Sequence, residues 1–239
     1  MVELIIVYAG IAVLAPLVFI LEPAPRLRRL DVAYWLLVTP LVTGVLTRAT
    51  ALGAIGLLSA TLSRHELSLH LVYQLPLALL LADFAGYWSH RARHVFVLWH
   101  FHAIHHSATQ LDALAAARMH PIDDVIDNTI VGLSLFVCGF SLEAILLVSP
   151  ILFLHTALTH LDVAWDFGPL RKLLVSPAHH RAHHEVGARH NYAGMFSLFD
   201  VVFGTYAETT GAPHGSGEPL EEGLWSHLTW PVRVLLPKR

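Results

Sequence analysis

The sequence predicts an all-α protein: an integral membrane helical bundle topped by a histidine-rich helical cap. Three observations carry this. The 239 residues are 55% hydrophobic and 14% charged, with a mean hydropathy of +0.57, too apolar for a soluble domain. Several uninterrupted apolar stretches approach the ~20 residues that cross a bilayer. Most of the 18 histidines fall between His90 and His190, at spacings that put their side chains on one face of a helix.

Taken in order, the first apolar stretch is Val2 to Leu21, about one bilayer thick. Glu3 stands where a signal peptide would carry a basic residue, and no small-residue cleavage site follows, so an uncleaved anchor is expected. Two prolines and three arginines in EPAPRLRR (Glu22 to Arg29) break it. The second stretch runs Val32 to Leu46. Ala49 to Leu62 is too short to span alone and reads as an interfacial or re-entrant piece. The third, Leu67 to Trp88, leads into the first histidine motif. The fourth and fifth, Val125 to Phe140 and Leu142 to Leu158, form a tight hairpin turned at Gly139–Ser141 that dips into the bilayer and returns. Beyond Tyr206 comes a turn-rich, acidic, solvated segment, Glu208 to Gly223. A final stretch with two tryptophans and a basic end suits the membrane interface. The expected division is therefore 1–82 as transmembrane helices, 83–206 as the histidine-motif region with a membrane hairpin at about 125–158, and 207–239 as a tail. Arg26, Arg28 and Arg29 put the first loop in the cytoplasm, and segment parity then places the histidine motifs there too, at a bacterial inner membrane.

Composition excludes several classes. A net charge of −3 offers nothing to nucleic acid. A single cysteine, Cys138, rules out an internal disulfide, an iron–sulfur cluster and a zinc ribbon. Any metal is held by nitrogen.

The histidines read HRARH (His90, His94), HFHAIHH (His102, His105, His106) and HHRAHH (His179, His180, His183, His184), with His120, His155 and His160 between. His65, His70, His214 and His227 are read as ordinary surface or core residues. Packing gives no reason to repeat such spacing three times, and burying so many imidazoles unligated is costly. One metal takes four to six ligands, so eight or more converging histidines imply a dimetal site. The Glu and Glu-x-x-His pairs of soluble carboxylate-bridged di-iron bundles are missing.

DFAGYWSHRARHVFVLWHFHAIHHS (Asp83 to Ser107), ARMHPID (Ala117 to Asp123), HLDVAWDFGPLRKLLVSPAHHRAHH (His160 to His184) and NYAGMFSLFDVVFGTY (Asn191 to Tyr206) together resemble the membrane fatty acid hydroxylase / sterol desaturase superfamily. The resemblance covers roughly Leu79 to Tyr206. Leu161–Asp162, Ala193 and Phe199 depart from the family pattern, but no motif histidine is lost. His100 and His179 stand at variable positions.

What the resemblance implies is a site of ten metal residues: His90, His94, His102, His105, His106, His160, His180, His183 and His184, with His120 as ligand, as support, or as a helix-terminus residue before Pro121. Asp83, two helical turns before His90, is expected to accept the N–H of a ligand imidazole. Asn191 and Asp200 carry weaker expectations of the same kind. The metals implied are two iron ions, with zinc able to occupy such ligands on overexpression. O2 is the co-substrate, and the reaction is hydroxylation or desaturation of a C–H bond in a lipid or sterol. Electrons come from a separate ferredoxin, cytochrome or reductase, since the chain carries no haem, flavin or iron–sulfur motif.

Two other classes compete. A histidine-rich metal-binding or transport protein would place its ligands in mid-membrane, whereas these lie at segment ends. A zinc-dependent membrane hydrolase needs an open metal position and a general-base carboxylate, and no HExxH is present.

Overall fold

A computed structural model describes residues 20–22, 27–61 and 65–236. The first apolar stretch lies outside the described residues except for its last two, as do Arg26 and the three final residues. Among the described residues the regular structure is helical, apart from one isolated bridge between Glu185 and His214.

Helix α1 is continuous: an α-helical start at Arg29–Ala33, a π-helical stretch at Tyr34–Thr43 and an α-helical remainder at Gly44–Thr61. The second apolar stretch and the Ala49 to Leu62 piece are thus one helix, not a span and a separate interfacial segment. The polar pair Thr47–Arg48 parts the two apolar stretches in sequence without ending the helix, and Pro40 does not end it either. Pro40 removes one N–H and crowds the preceding turn, but here the helix widens instead of breaking: the Gly44 N–H reaches back five residues to the Thr39 carbonyl.

Helix α2 (Leu71–Arg93) carries His90 near its C-terminal end, in a last turn whose Arg91 and Arg93 suit the helix dipole. The boundary expected at residue 83 falls inside it. Helix α3 (Phe96–His102) is short. Helices α4 (Pro121–Val137) and α5 (Leu142–Thr159) form a hairpin. Gly139 makes its turn at φ 86°, and any Cβ there would meet the His65 carbonyl oxygen at 2.7 Å. Ser141 then caps α5 by accepting the Ala144 N–H at 3.3 Å. Helix α6 (Pro177–His183) bears the third histidine motif, α7 (Leu198–Val202) follows, and α8 (Leu224–Leu235) closes the fold.

Among the described residues, three helical stretches, Arg29–Ser59, Leu71–Arg93 and Leu142–Thr159, are long and apolar enough to cross a membrane. Their outward faces expose Leu36, Leu41, Val45, Leu77, Leu80, Leu146 and Leu154, an apolar surface that water would not tolerate. Inside, Ala78, Ala82 and Ala144 let α2 and α5 approach closely around Leu135, Phe140 and Val148. A second core joins Tyr34, Trp35 and Val38 of α1 to Ala103, Ile104 and Trp230, directly beneath the histidine-bearing segments. A buried ion pair fixes this junction: Asp31 accepts from fully buried Arg118 at 2.6 Å and from Arg28 at 2.6 Å. The segment after Tyr206 is turn-rich and largely exposed, with only Gly215 buried between residues 208 and 223, yet it is tied to the protein. It folds back over α6, and Glu185 gathers the hydroxyls of Thr209 and Thr210 with the N–H groups of Thr210 and Gly211.

Candidate metal centre

The motif histidines lie on five separate pieces of chain. Helix α2 delivers His90 and, at its cap, His94. Helix α3 delivers His102, and a 3-10 turn at His105–Ser107 delivers His105 and His106. His160 caps the C-terminus of α5. Helix α6 starts cleanly, with Ser176 accepting the His179 N–H at 3.2 Å and Pro177 in the first turn. The i, i+3, i+4 set His180, His183 and His184 then shares one face.

Nine of these imidazoles converge in two groups. His90, His94, His102, His106 and His183 form the first, and His105, His160, His180 and His184 the second. Within each, one nitrogen per residue lies within 4.8 Å of every other, and all nine residues are buried. The groups touch: His106 stacks on His184 with ring centroids 4.3 Å apart.

Hydrogen bonding fixes the tautomers. A carbonyl oxygen only accepts, so an imidazole nitrogen facing one must carry the proton. The Nδ1–H of His90 donates to the Tyr192 carbonyl at 2.7 Å, that of His183 to His190 at 2.8 Å, that of His160 to Thr156 at 2.8 Å, and that of His105 to Arg118 at 3.3 Å. The Nδ1–H of His102 donates to the Asp123 carboxylate at 3.0 Å. Neutral imidazoles held this way present bare Nε2 lone pairs.

Nε2 atoms face one another across both groups, and in the first of the following pairs both rings are held with Nε2 bare. His90 Nε2 lies 3.0 Å from His102 Nε2, His94 Nε2 3.2 Å from His183 Nε2, and His180 Nε2 3.3 Å from His160 Nε2. Two lone pairs at such distances repel unless a shared cation joins them. Ligands about 2.1 Å from one metal stand roughly 3 Å apart at a right angle. The Nε2 of His106 is buried and has no hydrogen-bond partner among the described residues. The residues therefore fit a pair of divalent metal ions.

Burial also keeps the imidazoles neutral. It lowers His102, His105, His106, His180 and His184 well below the ordinary value of 6.5, with neighbouring histidines and, for His102, Arg93 adding to the effect. His160 and His183 are lowered to about 4, burial again outweighing the carbonyl each donates to.

Two expected residues work elsewhere. His120 lies outside both groups. It caps α4, its Nδ1 accepting the Ile122 N–H at 3.2 Å while its Nε2–H donates to the Leu228 carbonyl at 3.2 Å. With both nitrogens engaged and Pro121 behind it, it is the helix-terminus residue and offers no ligand atom to either group. Asp83 receives no imidazole N–H. Seven residues of helix are about 10 Å of rise, too far for its carboxylate to reach His90. It accepts instead the backbone N–H groups of Gly194, Met195 and Phe196 at 3.1, 2.8 and 2.7 Å. Asp200 likewise holds the N–H of Tyr192 at 2.7 Å and of Ala193 at 3.0 Å, and accepts from His179 at 3.1 Å. Asn191, at φ 59°, donates through its amide NH2 to the His179 and Ala207 carbonyls and accepts the Ala207 N–H on its amide oxygen. These polar residues hold the 190–196 loop, whose carbonyls in turn orient His90 and His183. His155 and His100 lie outside both groups.

Asp123 is the residue that reading the sequence passed over. It closes the ARMHPID block, but an acid in the first turn of a helix opened by His120–Pro121 has an ordinary role at the helix dipole, and nothing in the spacing ties it to His102. Trp99 and Tyr192 wall the first group, with rings 5.2 and 5.1 Å from that of His94.

The family model described as fatty acid hydroxylase matches residues 75–205. Among curated proteins, the ornithine lipid hydroxylase OlsE of Rhizobium tropici is 30% identical over 182 residues, covering 70% of this chain and 55% of that protein. The alkylglycerol monooxygenase of Homo sapiens is 32% identical over 149 residues, 60% of this chain and 33% of that protein. A probable Delta(7)-sterol 5(6)-desaturase of Neurospora crassa is 26% identical over 156 residues, 64% of this chain and 44% of that protein. The matches thus span between a third and just over half of those relatives' lengths. No solved structure matches the chain.

Proposed function

Because the chain belongs to the fatty acid hydroxylase family, we propose that it is an O2-dependent membrane oxygenase that hydroxylates or desaturates a C–H bond of a lipid or sterol. The observation that carries the reading is the convergence of nine buried imidazoles into two touching groups. His90, His94, His102, His106 and His183 would hold one iron, and His105, His160, His180 and His184 the other. Bound there, two irons supply the redox chemistry by which O2, two electrons and two protons turn a C–H bond into C–OH and water.

The protein's part is placement and exclusion. Burial keeps the imidazoles neutral, and the Nδ1–H of each oriented ring stays on its carbonyl or on Asp123, so every Nε2 points inward. Trp99 and Tyr192 screen the first group from water. Trp99 is itself pinned, donating through Nε1–H to Glu218 at 2.9 Å. An apolar acyl or sterol body reaches the site from the lipid phase along the membrane helices. The histidine-bearing segments face the cytoplasm, where a separate ferredoxin, cytochrome or reductase delivers electrons. The names of the relatives, which act on an ornithine lipid, alkylglycerols and sterols, support a lipid substrate.

The test is direct. Protein purified in detergent after growth in iron is analysed for metal, reduced, and given membrane lipid extract with and without O2. Two irons per chain and an O2-dependent hydroxylated or desaturated lipid are expected. A product formed equally without O2, or no redox-active metal requirement, overturns the proposal.

A further inference from the structure

We infer that Asp123 is a positioning residue that makes the two metal positions unequal, so that the five-histidine group takes a divalent ion ahead of the four-histidine group. This rests on the reading above that each group takes a metal.

The observation is an asymmetry around the two groups. Asp123 is 1% exposed, and its Oδ2 accepts the Nδ1–H of His102 at 3.0 Å. The same oxygen accepts from Arg93 Nη1 at 3.1 Å, and Arg93 Nη2 donates to Asp127 at 2.9 Å. The carboxylate is thus held from behind by a buried arginine, which is itself held by a second acid. Around the four-histidine group the oriented rings donate only to neutral carbonyls, those of Arg118 and Thr156, and the Nδ1 of His184 is buried without a partner. A carboxylate draws the Nδ1 proton more strongly than a carbonyl, so it makes Nε2 a better donor to a cation and fixes the ring more firmly. The better-supported group also has one more imidazole. Both differences act in the same direction.

Metal-free, full-length protein in detergent is titrated with cobalt(II), following visible absorption and counting bound metal. Two separated steps are expected. Asp123→Asn weakens the first step by about 10–100-fold, the range typical of removing such a contact, and alters the spectrum of the first-bound ion, leaving the second step in place. Asp127→Asn, one contact further out, acts on the same step with a smaller effect. Wild-type crystals given one equivalent of cobalt show anomalous scattering at the five-histidine group, a result that needs no variant to fold. A single step with equal occupancy of both groups, or an Asp123→Asn loss shared equally by both steps, overturns the inference and leaves the proposed function standing. Failure to bind any metal sinks the proposed function itself.

Discussion

The carboxylate of Asp83 accepts the backbone N–H of Met195 at 2.8 Å across more than a hundred residues of chain. Asp83 sits on the helix that carries His90, and Met195 on the loop whose Tyr192 carbonyl orients that same histidine. With Gly194 and Phe196 also donating, three backbone N–H groups depend on one side chain. Asp83→Ala leaves them unpartnered, Met195 in a buried setting and Gly194 and Phe196 partly reached by water, which costs about 2 kcal/mol in total. Thermal unfolding of the metal-free protein in detergent should show a clear fall in Tm. An unchanged Tm would mean that the 190–196 loop is held by other contacts.

Glu185 is the clasp of the strap formed by residues 209–211. Burial alone would raise its carboxyl, but the hydroxyls of Thr209 and Thr210 and the N–H groups of Thr210 and Gly211 outweigh that and lower it. Glu185→Ala removes all of these acceptors at once. Proteolysis or amide exchange in the strap should speed up about tenfold, the factor that goes with ~1.4 kcal/mol. Exchange within α2 should not change. Equal acceleration throughout would show global destabilisation instead.

His120 and His160 separate capping from ligation. His120→Ala removes a helix cap and should lower stability by about 1 kcal/mol while metal content stays at the wild-type level. His160→Ala removes one of four imidazoles in its group and should cut bound metal towards one ion per chain. Elemental analysis of both purified variants decides. Loss of metal in His120→Ala would return that residue to the site.

Acid should destabilise the metal-free protein. His160 and His183 take up a proton near pH 4 when folded and near 6.5 when exposed. Between these values the unfolded chain binds more protons, so stability falls as pH drops from about 6.5 to 4 and is flat with respect to these groups above 7. Bound metal competes with protons for the same nitrogens and should move the decline to lower pH. Urea or thermal unfolding across this range, with and without metal, tests the sign. Rising stability on acidification would show that these imidazoles are not held neutral.

The sequence by itself determined the all-helical class and the recurrence of histidines on helix faces, because both are local, although it divided α1 in two. A run of apolar residues sets a span, and i, i+3, i+4 spacing sets a shared face, as at His180, His183 and His184. It likewise revealed the hairpin turn at Gly139, where only glycine fits. What the tertiary structure decided is everything that depends on partners far along the chain. The sorting of nine imidazoles into groups of five and four interleaves all three motifs, so that neighbours His105 and His106 belong to different groups. Asp83 and Asp123 are each an acid near a histidine in sequence. One reaches a distant loop and the other a ligand ring, because helix rise and packing set the reach of a carboxylate and spacing alone does not. The same holds for the acidic segment after Tyr206. Its composition calls for water, and most of it stays exposed, but where it is anchored was decided by buried Glu185, which holds residues 209–211.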